Sequence, residues 1–245
     1  MRQIVIALDE LSLARCVELI QITTDQEQRL GNHVEAFKIH DLYDREGPGV
    51  VEKLKRAGAR RIKLDRKLHD TPNTVRMSTR YLVESGADII TVHIAGGIDM
   101  MKAALEGTEG RAEVWGVTVL TSLSEEEVVS VSGRSCKVTV LCRAHMAQLV
   151  GLQAVICSPK ETATLAAHPQ LKKLAIVNPG IRSAGVDSAD QKRVDTPENA
   201  IMAGARYIVI GREFTLAKDP AAGLARIIER VEIANDEILA KEVIS

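Results

Sequence analysis

Short apolar runs rich in β-branched residues alternate along the chain with longer amphipathic segments. Short apolar runs are typical of buried strands, and the segments between them have helical periodicity. The pattern predicts strands at Gln3–Leu8, Val34–Ile39, Arg61–Leu64, Asp88–Val92, Glu113–Val119, Ala154–Ile156, Leu174–Val177 and Tyr207–Ile210. It predicts helices at Ser12–Arg29, Gly49–Ala57, Pro72–Ser85, Gly97–Glu106, Ser124–Val131, Lys160–His168, Thr196–Ala203 and Pro220–Lys241.

Local signals mark where several of these helices begin and end. Gly-Ala pairs at 58–59, 86–87 and 204–205 stand between a helix and the next strand, as a glycine just beyond a helix would. Ser124 with Glu127 three residues later predicts a capping box, and Thr196 followed by Pro197 predicts another helix start.

Eight strand–helix units in 245 residues predict an α/β fold, a (β/α)8 TIM barrel that forms a single domain over residues 1–245. A doubly wound open sheet is the alternative, but the first strand–helix turn reads LDELS and lacks the glycine fingerprint of that fold. The segment 133–152 is long for one connection and predicts an extra helix at about Ala144–Leu149.

Composition narrows the classes of partner. Lys+Arg total 32 against 33 Asp+Glu, and aromatic residues are 2%, so neither nucleic acid nor an anionic membrane is an expected partner. The four cysteines form no C-x-x-C pair, and no apolar run is long enough to cross a membrane. We therefore expect a soluble, cytoplasmic protein with reduced thiols.

Charged and polar residues follow the predicted strands, at the end where barrels carry their active sites. This set comprises Asp9, Lys38, Asp65 with Lys67, His93, Thr121, 178–182 and 211–212. Asp65 and Lys67 are two residues apart, so both face the same side of an extended chain. Lys38 and Asp70 can complete an alternating Lys–Asp–Lys–Asp array, in which each charge is flanked by the opposite sign and stays ionised. The alternative is a solvated, charged strand end.

A second constellation follows the seventh and eighth strands, where barrels often bind phosphate. Gly180 and Gly211 permit close backbone approach, and the guanidinium groups of Arg182 and Arg212 can bind phosphate oxygens. The polar stretch 183–195 is long for such a loop and predicts a lid.

With both constellations identified, the chain resembles the orotidine 5'-phosphate decarboxylase family along nearly its whole length. The segments that carry the resemblance are ALD (7–9), FKI (37–39), LDRKLHDTPNT (64–74), TVHIAGG (91–97), VTVLTS (117–122), VNPGIR (177–182), DQKRV (190–194) and YIVIGR (207–212). The resemblance implies decarboxylation of orotidine 5'-monophosphate to uridine 5'-monophosphate (UMP) and CO₂, the last step of de novo pyrimidine synthesis. It also implies a homodimer with shared active sites, and no metal or organic cofactor.

The resemblance assigns roles residue by residue. Lys67 would donate a proton to C6 of the pyrimidine, Asp65 would face the departing carboxylate, and Lys38 would belong to the same array. Asp70 and Thr74 would reach into the partner's site. The implied substrate-binding residues are Asp9 at the ribose, Thr121 and Ser122 at the pyrimidine, and Pro179, Gly180, Arg182, Gln191, Gly211 and Arg212 at the phosphate and closing loop.

Four positions depart from the family pattern. Lys63 stands where the family has an aromatic or apolar residue; it either lies inside the barrel beside an acid or leaves for solvent where the strand bends. His40 replaces a glycine, and Thr71 replaces an isoleucine. Glu213 follows the Gly-Arg pair, where an acid is unfavourable unless its side chain points away.

Two other functions remain open. Sugar-phosphate lyases of the same superfamily, such as 3-keto-L-gulonate 6-phosphate decarboxylase and hexulose-6-phosphate synthase, share D-x-K-x-x-D but bind Mg²⁺, with an acid in place of Lys38. A lysine there repels a metal ion. The other alternative is a nucleotide-binding barrel without catalytic activity.

Overall fold

Eight parallel strands form a closed barrel in the computed structural model, which describes residues 3–183 and 195–244. The strands are β1 (Gln3–Ala7), β2 (Val34–Ile39), β3 (Ile62–Leu68), β4 (Ile89–His93), β5 (Glu113–Val117), β6 (Ala154–Ile156), β7 (Ala175–Asn178) and β8 (Tyr207–Ile210). Each strand pairs with the next in the chain, and β1 pairs with β8 to close the barrel. The predicted (β/α)8 fold is confirmed.

Helices connect the strands around the outside of the barrel. They are α1 (Leu13–Leu30), α2 (Asp41–Glu46), α3 (Val50–Arg56), α4 (Pro72–Glu84), α5 (Ile98–Thr108), α6 (Glu125–Ser132), α7 (Cys136–Val150), α8 (Pro159–Ala166), α9 (Pro197–Met202), α10 (Arg212–Thr215) and α11 (Pro220–Ile244). Ser124 and Glu127 form the predicted capping box, and the Thr196 side chain accepts a hydrogen bond from the Asn199 N–H. None of the helices in the described part of the chain has the length and apolar character needed to span a membrane.

The structure corrects several predicted boundaries. Strand β3 continues four residues past its predicted end at Leu64. The prediction ended too early because the second half of the strand is charged and carries no apolar pattern. Helix α7 is longer than predicted, and α2 and α10 were missed because both are short and polar. These corrections matter for the site, because the extension of β3 carries two of the predicted site residues.

Side chains inside the barrel form two layers with different chemistry. The layer toward the amino ends of the strands is apolar and comprises Val5, Ala36, Ile89, Trp115, Ala154 and Val177. The layer toward the carboxyl ends is charged. On β3, Ile62 and Leu64 point outward into the core under the helices, so alternation turns Lys63 and Asp65 inward. The apolar layer closes the barrel from below and leaves a site at its carboxyl end.

Candidate active site

A cavity of about 330 Å³ opens at the carboxyl ends of the strands. Most of the strand-end residues singled out from the sequence line it, together with apolar side chains of β1, β5, β6 and β8. The charged and polar members of the lining are Asp9, Glu10, Lys38, Lys63, Asp65, Lys67, Thr121, Arg182, Arg212, Glu213 and Thr215. Its volume is in the range of small-molecule sites.

Asp65 is the centre of a charge cluster on the floor of this cavity. Its Oδ2 lies 2.6 Å from Lys67 Nζ and 3.7 Å from Lys38 Nζ. Its Oδ1 accepts a hydrogen bond from Lys63 Nζ at 2.7 Å. Lys38 Nζ also contacts Asp9 Oδ2 at 2.5 Å. One carboxylate therefore holds three ammonium groups from two adjacent strands.

The pKa values of this cluster follow from burial opposed by pairing. Burial acts to raise the pKa of Asp65, but the ammonium groups of Lys63, Lys38 and Lys67 outweigh it and hold that pKa well below its usual range. Burial acts to lower the pKa of Lys38, and the Asp65 and Asp9 carboxylates reverse the effect and raise it. Asp65 therefore remains ionised, and Lys38 remains protonated, across the physiological pH range.

Backbone contacts hold the cluster in place. Lys67 has a φ of +47°, in the left-handed region that is unfavourable for a lysine. Its backbone N–H donates a hydrogen bond to Thr91 Oγ1 at 2.8 Å, and Thr91 Oγ1 donates to Asp65 Oδ1 at 3.1 Å. His40 Nδ1 lies 3.0 Å from the carbonyl oxygen of Asp65, so this ring nitrogen carries a proton and donates. Neighbouring strands thus hold both the backbone and the side chain of Asp65.

Two arginines contribute positive charge to the wall of the cavity. Arg182 follows β7 and Arg212 begins α10 after β8, and both line the cavity. The backbone N–H of Arg182 donates to the carbonyl oxygen of Asp195 at 3.0 Å, next to a bridge between Ile181 and Asp195. These positive side chains make this end of the cavity suitable for an anionic group.

The comparisons with known proteins agree with this geometry. A family model described as Orotidine 5'-phosphate decarboxylase / HUMPS family matches residues 2–227. The chain belongs to this family. It is 42% identical over 186 residues to orotidine 5'-phosphate decarboxylase from Streptococcus pneumoniae (strain Hungary19A-6), covering 74% of this chain and 78% of that protein.

Two further relatives support the assignment. Orotidine 5'-phosphate decarboxylase from Geobacillus sp. (strain WCH70) is 42% identical over 196 residues, which is 76% of this chain and 81% of that protein. The crystal structure of orotidine 5'-phosphate decarboxylase from Lactobacillus acidophilus matches with a TM-score of 0.73 and 30% identity, covering 94% of this chain and 99% of that one. The predicted family and enzyme class are confirmed.

Most of the predicted substrate-binding residues line the cavity. Thr121, Pro179, Gly180 and Gly211 do so together with the two arginines. Ser122 does not: it is exposed and outside the lining. Gln191 and most of the predicted lid, 183–195, lie outside the described residues.

Asp70 and Thr74 stand apart from the charge cluster of their own chain. Both are exposed; Asp70 Oδ1 accepts from the Thr71 N–H at 2.6 Å, and Thr74 Oγ1 lies 3.0 Å from Thr71 Oγ1. Within one chain, Lys63 and Asp9 join Lys38, Asp65 and Lys67 in the cluster, and Asp70 lies outside the cavity lining. Thr71, a departure from the family pattern, links the two exposed residues.

The structure accounts for the other departures as well. Lys63 takes the first of its two alternatives, inside the barrel beside an acid. His40 supports the Asp65 carbonyl, as described above. Glu213 lines the cavity, and its Oε2 accepts from the Ser183 backbone N–H at 2.8 Å, which directs the carboxylate at a donor of the β7 loop.

Thr91 is the site residue that sequence reasoning did not single out. It lies between two apolar residues of β4 and is fully buried, yet it contacts both Asp65 and Lys67. A polar residue in a strand that is otherwise apolar was the available signal. His93, two residues further on, is half-buried with its ring centroid 5.5 Å from that of His69, and burial is the main reason that its pKa is lowered.

Proposed function

We propose that the protein converts orotidine 5'-monophosphate to UMP and CO₂, with Lys67 as proton donor and no cofactor. The observation that carries this proposal is the 2.6 Å contact between Lys67 Nζ and Asp65 Oδ2 on the floor of the cavity. The family and its named relatives supply the substrate. The cluster supplies a preorganised ammonium group where a reaction of this class develops negative charge.

In the proposed reaction, the bond between C6 of the pyrimidine and its carboxylate breaks, and its electron pair stays on C6. CO₂ leaves, and the carbanion takes a proton from Lys67 Nζ to give UMP. Asp65 fixes the Lys67 ammonium, which is about one-third exposed and faces the cavity. Because the positive charge is already in position, little reorganisation is needed when the carbanion forms.

Different residues of the cavity are proposed to bind different parts of the substrate. Asp9, held by Lys38, is proposed to contact the ribose, and Thr121 the pyrimidine. Arg182 and Arg212 are proposed to bind the phosphate. Binding energy from the phosphate, far from C6, can then support the chemical step.

The position of Lys38 argues against a metal-dependent lyase. Asp9 and Asp65 are the carboxylates of the charge cluster, and the Lys38 ammonium lies between them, 2.5 Å and 3.7 Å from their Oδ2 atoms. A cation there would meet a buried positive charge. In residues 3–183 and 195–244, no cluster of three or more His, Cys, Asp or Glu side chains is arranged to hold a metal ion.

A spectroscopic assay tests the proposed reaction. The loss of orotidine 5'-monophosphate absorbance is followed with purified protein in EDTA and, in parallel, with added Mg²⁺. We expect turnover in both conditions at the same rate. No turnover at micromolar protein in either condition refutes the decarboxylase proposal, and turnover only with Mg²⁺ refutes the cofactor-free mechanism.

We also propose that two chains share their active sites, with Asp70 and Thr74 serving the partner's site. The exposure of both residues, away from their own cavity, supports this. Mixing Asp70→Ala subunits with Lys67→Ala subunits should restore turnover, because one of the two composite sites in each heterodimer would be intact. Mixtures that form heterodimers, detected by mass, and stay inactive would contradict a shared site.

A further inference from the structure

Lys63 is a buried ammonium group that the proposed reaction does not use. Its side chain is 2% exposed, and its Nζ lies 2.7 Å from Asp65 Oδ1. The Trp115 ring lies below it, with the ring centroid 5.9 Å from Nζ. It therefore sits between the apolar layer of the barrel and the charge cluster, and it also lines the cavity.

The two oxygens of Asp65 have different partners. Oδ1 faces Lys63 and Thr91 Oγ1, and Oδ2 faces Lys67 and Lys38. A carboxylate can rotate about its terminal bond, since such torsions are broad. The contacts on Oδ1 therefore restrict the direction in which Oδ2 points, and Oδ2 holds the proposed proton donor.

We propose that Lys63 is a positioning residue for the decarboxylation: its protonated ammonium holds Asp65 Oδ1 from the barrel interior, and thereby fixes Oδ2 against Lys67. This inference rests on the proposed function. Lys63 acts through Asp65, so it affects the chemical step more than substrate affinity. Charge-assisted hydrogen bonds of this kind are about twice as strong as neutral ones.

Packing alone gives no reason for a lysine at this place. Desolvation of a buried charge is costly, and removal of one partner of an ion pair is harmful when it leaves the other charge unpaired. Thr91, Lys67 and Lys38 would still contact Asp65 if Lys63 were apolar. The ammonium of Lys63 thus holds Asp65 in position, and its burial lowers the stability of the fold.

The proton on Lys63 is held less firmly than on an ordinary lysine. The groups around it are Lys38 on β2 with Asp9 beyond it, Asp65 and Lys67 on β3, Thr91 on β4, and Trp115 on β5, whose indole N–H donates to Glu113. Burial lowers the pKa of Lys63 to about 8, with help from Lys38 and Lys67, while Asp65 opposes the change. Above that pH, the Lys63 amine donates to the Asp65 carboxylate without its own positive charge, so the hold on Oδ1 weakens and we expect kcat to fall.

The test measures kcat and KM for orotidine 5'-monophosphate from pH 6 to pH 10, in the wild type and in Lys63→Met and Lys63→Arg. Losing one charge-assisted contact predicts a fall in kcat of roughly 10- to 100-fold in Lys63→Met, with KM little changed. The wild type should lose activity above about pH 8, and Lys63→Met should lack this alkaline limb. Lys63→Arg keeps its charge at all these pH values, so it should recover part of kcat and also lack the limb.

Two results would overturn the inference: a wild-type kcat in Lys63→Met, or a reduced kcat with the alkaline limb unchanged. Binding of UMP, measured by calorimetry, shows whether each variant is folded and competent to bind. If Lys63→Met does not fold, the comparison of Lys63→Arg with the wild type decides.

If the wild type shows no turnover, the proposed function is refuted, but the pairing of Lys63 with Asp65 is not. In that case, NMR of ¹³C-labelled lysine, with Lys63 assigned by its absence in Lys63→Arg, follows the titration directly. Lys63 should titrate near pH 8 and at a lower pH in Asp65→Asn. A titration of Lys63 that does not change in Asp65→Asn would refute the inference.

Discussion

Replacing Lys63 by methionine should make the protein more stable at neutral pH. Lys63 is among the largest fully buried side chains, and burial lowers the pKa of its ammonium from 10.5 to about 8. Since each pKa unit corresponds to 1.36 kcal/mol, this difference makes the charged form about 3 kcal/mol less favourable in the folded protein than in the unfolded chain. Methionine fills a similar volume without a charge, and Asp65 keeps Lys67, Lys38 and Thr91 as partners. Lys63→Met should therefore gain up to about 3 kcal/mol.

The gain should depend on pH in a defined direction. Between pH 8 and 10.5 the folded protein has released the Lys63 proton while the unfolded chain still binds it. The free energy of unfolding of the wild type therefore rises with pH in this window. Lys63→Met has no such proton, so its advantage should be full at pH 7 and should disappear toward pH 10.5.

Urea unfolding at equal protein concentration, at pH 7, 8, 9 and 10, measures the difference. Lys53→Met serves as a matched control, because Lys53 is exposed on α3 and its substitution should change stability by less than about 0.5 kcal/mol at every pH. A difference between Lys63→Met and the wild type that is the same at pH 7 and pH 10 would refute the titration argument. A variant less stable than the wild type at pH 7 would refute the claim that the buried charge is unfavourable.

Three other substitutions test the site and its scaffold. Lys67→Ala should keep the fold and the ability to bind UMP but lose nearly all turnover. The control Lys53→Ala should match the wild type in UMP binding and in turnover. Near-normal turnover in Lys67→Ala would disprove the role of Lys67 as proton donor. Thr91→Val removes the acceptor for the Lys67 N–H and a donor to Asp65, so it should lower the free energy of unfolding by about 1–3 kcal/mol and reduce kcat. Thr91→Ser keeps the hydroxyl and should restore both. A Thr91→Val variant as stable and active as the wild type would argue against this contact. Ser124→Ala removes the cap of α6 and should cost about 1 kcal/mol in urea unfolding without changing turnover; an unchanged midpoint would mean that the cap contributes little.

The sequence was sufficient for the barrel because its strands and helices differ in period and in their end signals. It was less sufficient where charged residues lie within a strand, since their pattern does not indicate one. The segment RKL at the end of β3 belongs to the strand although it has no apolar alternation and Lys67 has a positive φ, and the site depends on it. Lys63 was ambiguous for the same reason: alternation turns it inward, but burial of a lysine depends on partners that only the folded barrel brings together.

Contacts between distant segments were the part that sequence could not supply. The bond from His40 to the Asp65 carbonyl joins the ends of two strands, and no local pattern indicates it. Thr91 is similar, since a threonine in a strand is ordinary until its neighbours across the sheet are known. Glu213 looked unfavourable in the sequence because its partner, the Ser183 N–H, belongs to another loop.

The two halves of the barrel carry different parts of the site, and this has a consequence for how the protein can change. The charge cluster is built from β1 to β3, with support from β4, whereas Thr121, Arg182 and Arg212 follow β5, β7 and β8. If Thr121 binds the ring and the two arginines bind the phosphate as proposed, substitutions in the later loops alter which ring or anion is accepted while the ammonium groups keep their geometry. On the proposed assignment, a library randomised in the loops after β5, β7 and β8 should change which ring or anion is accepted on an unchanged chemical step.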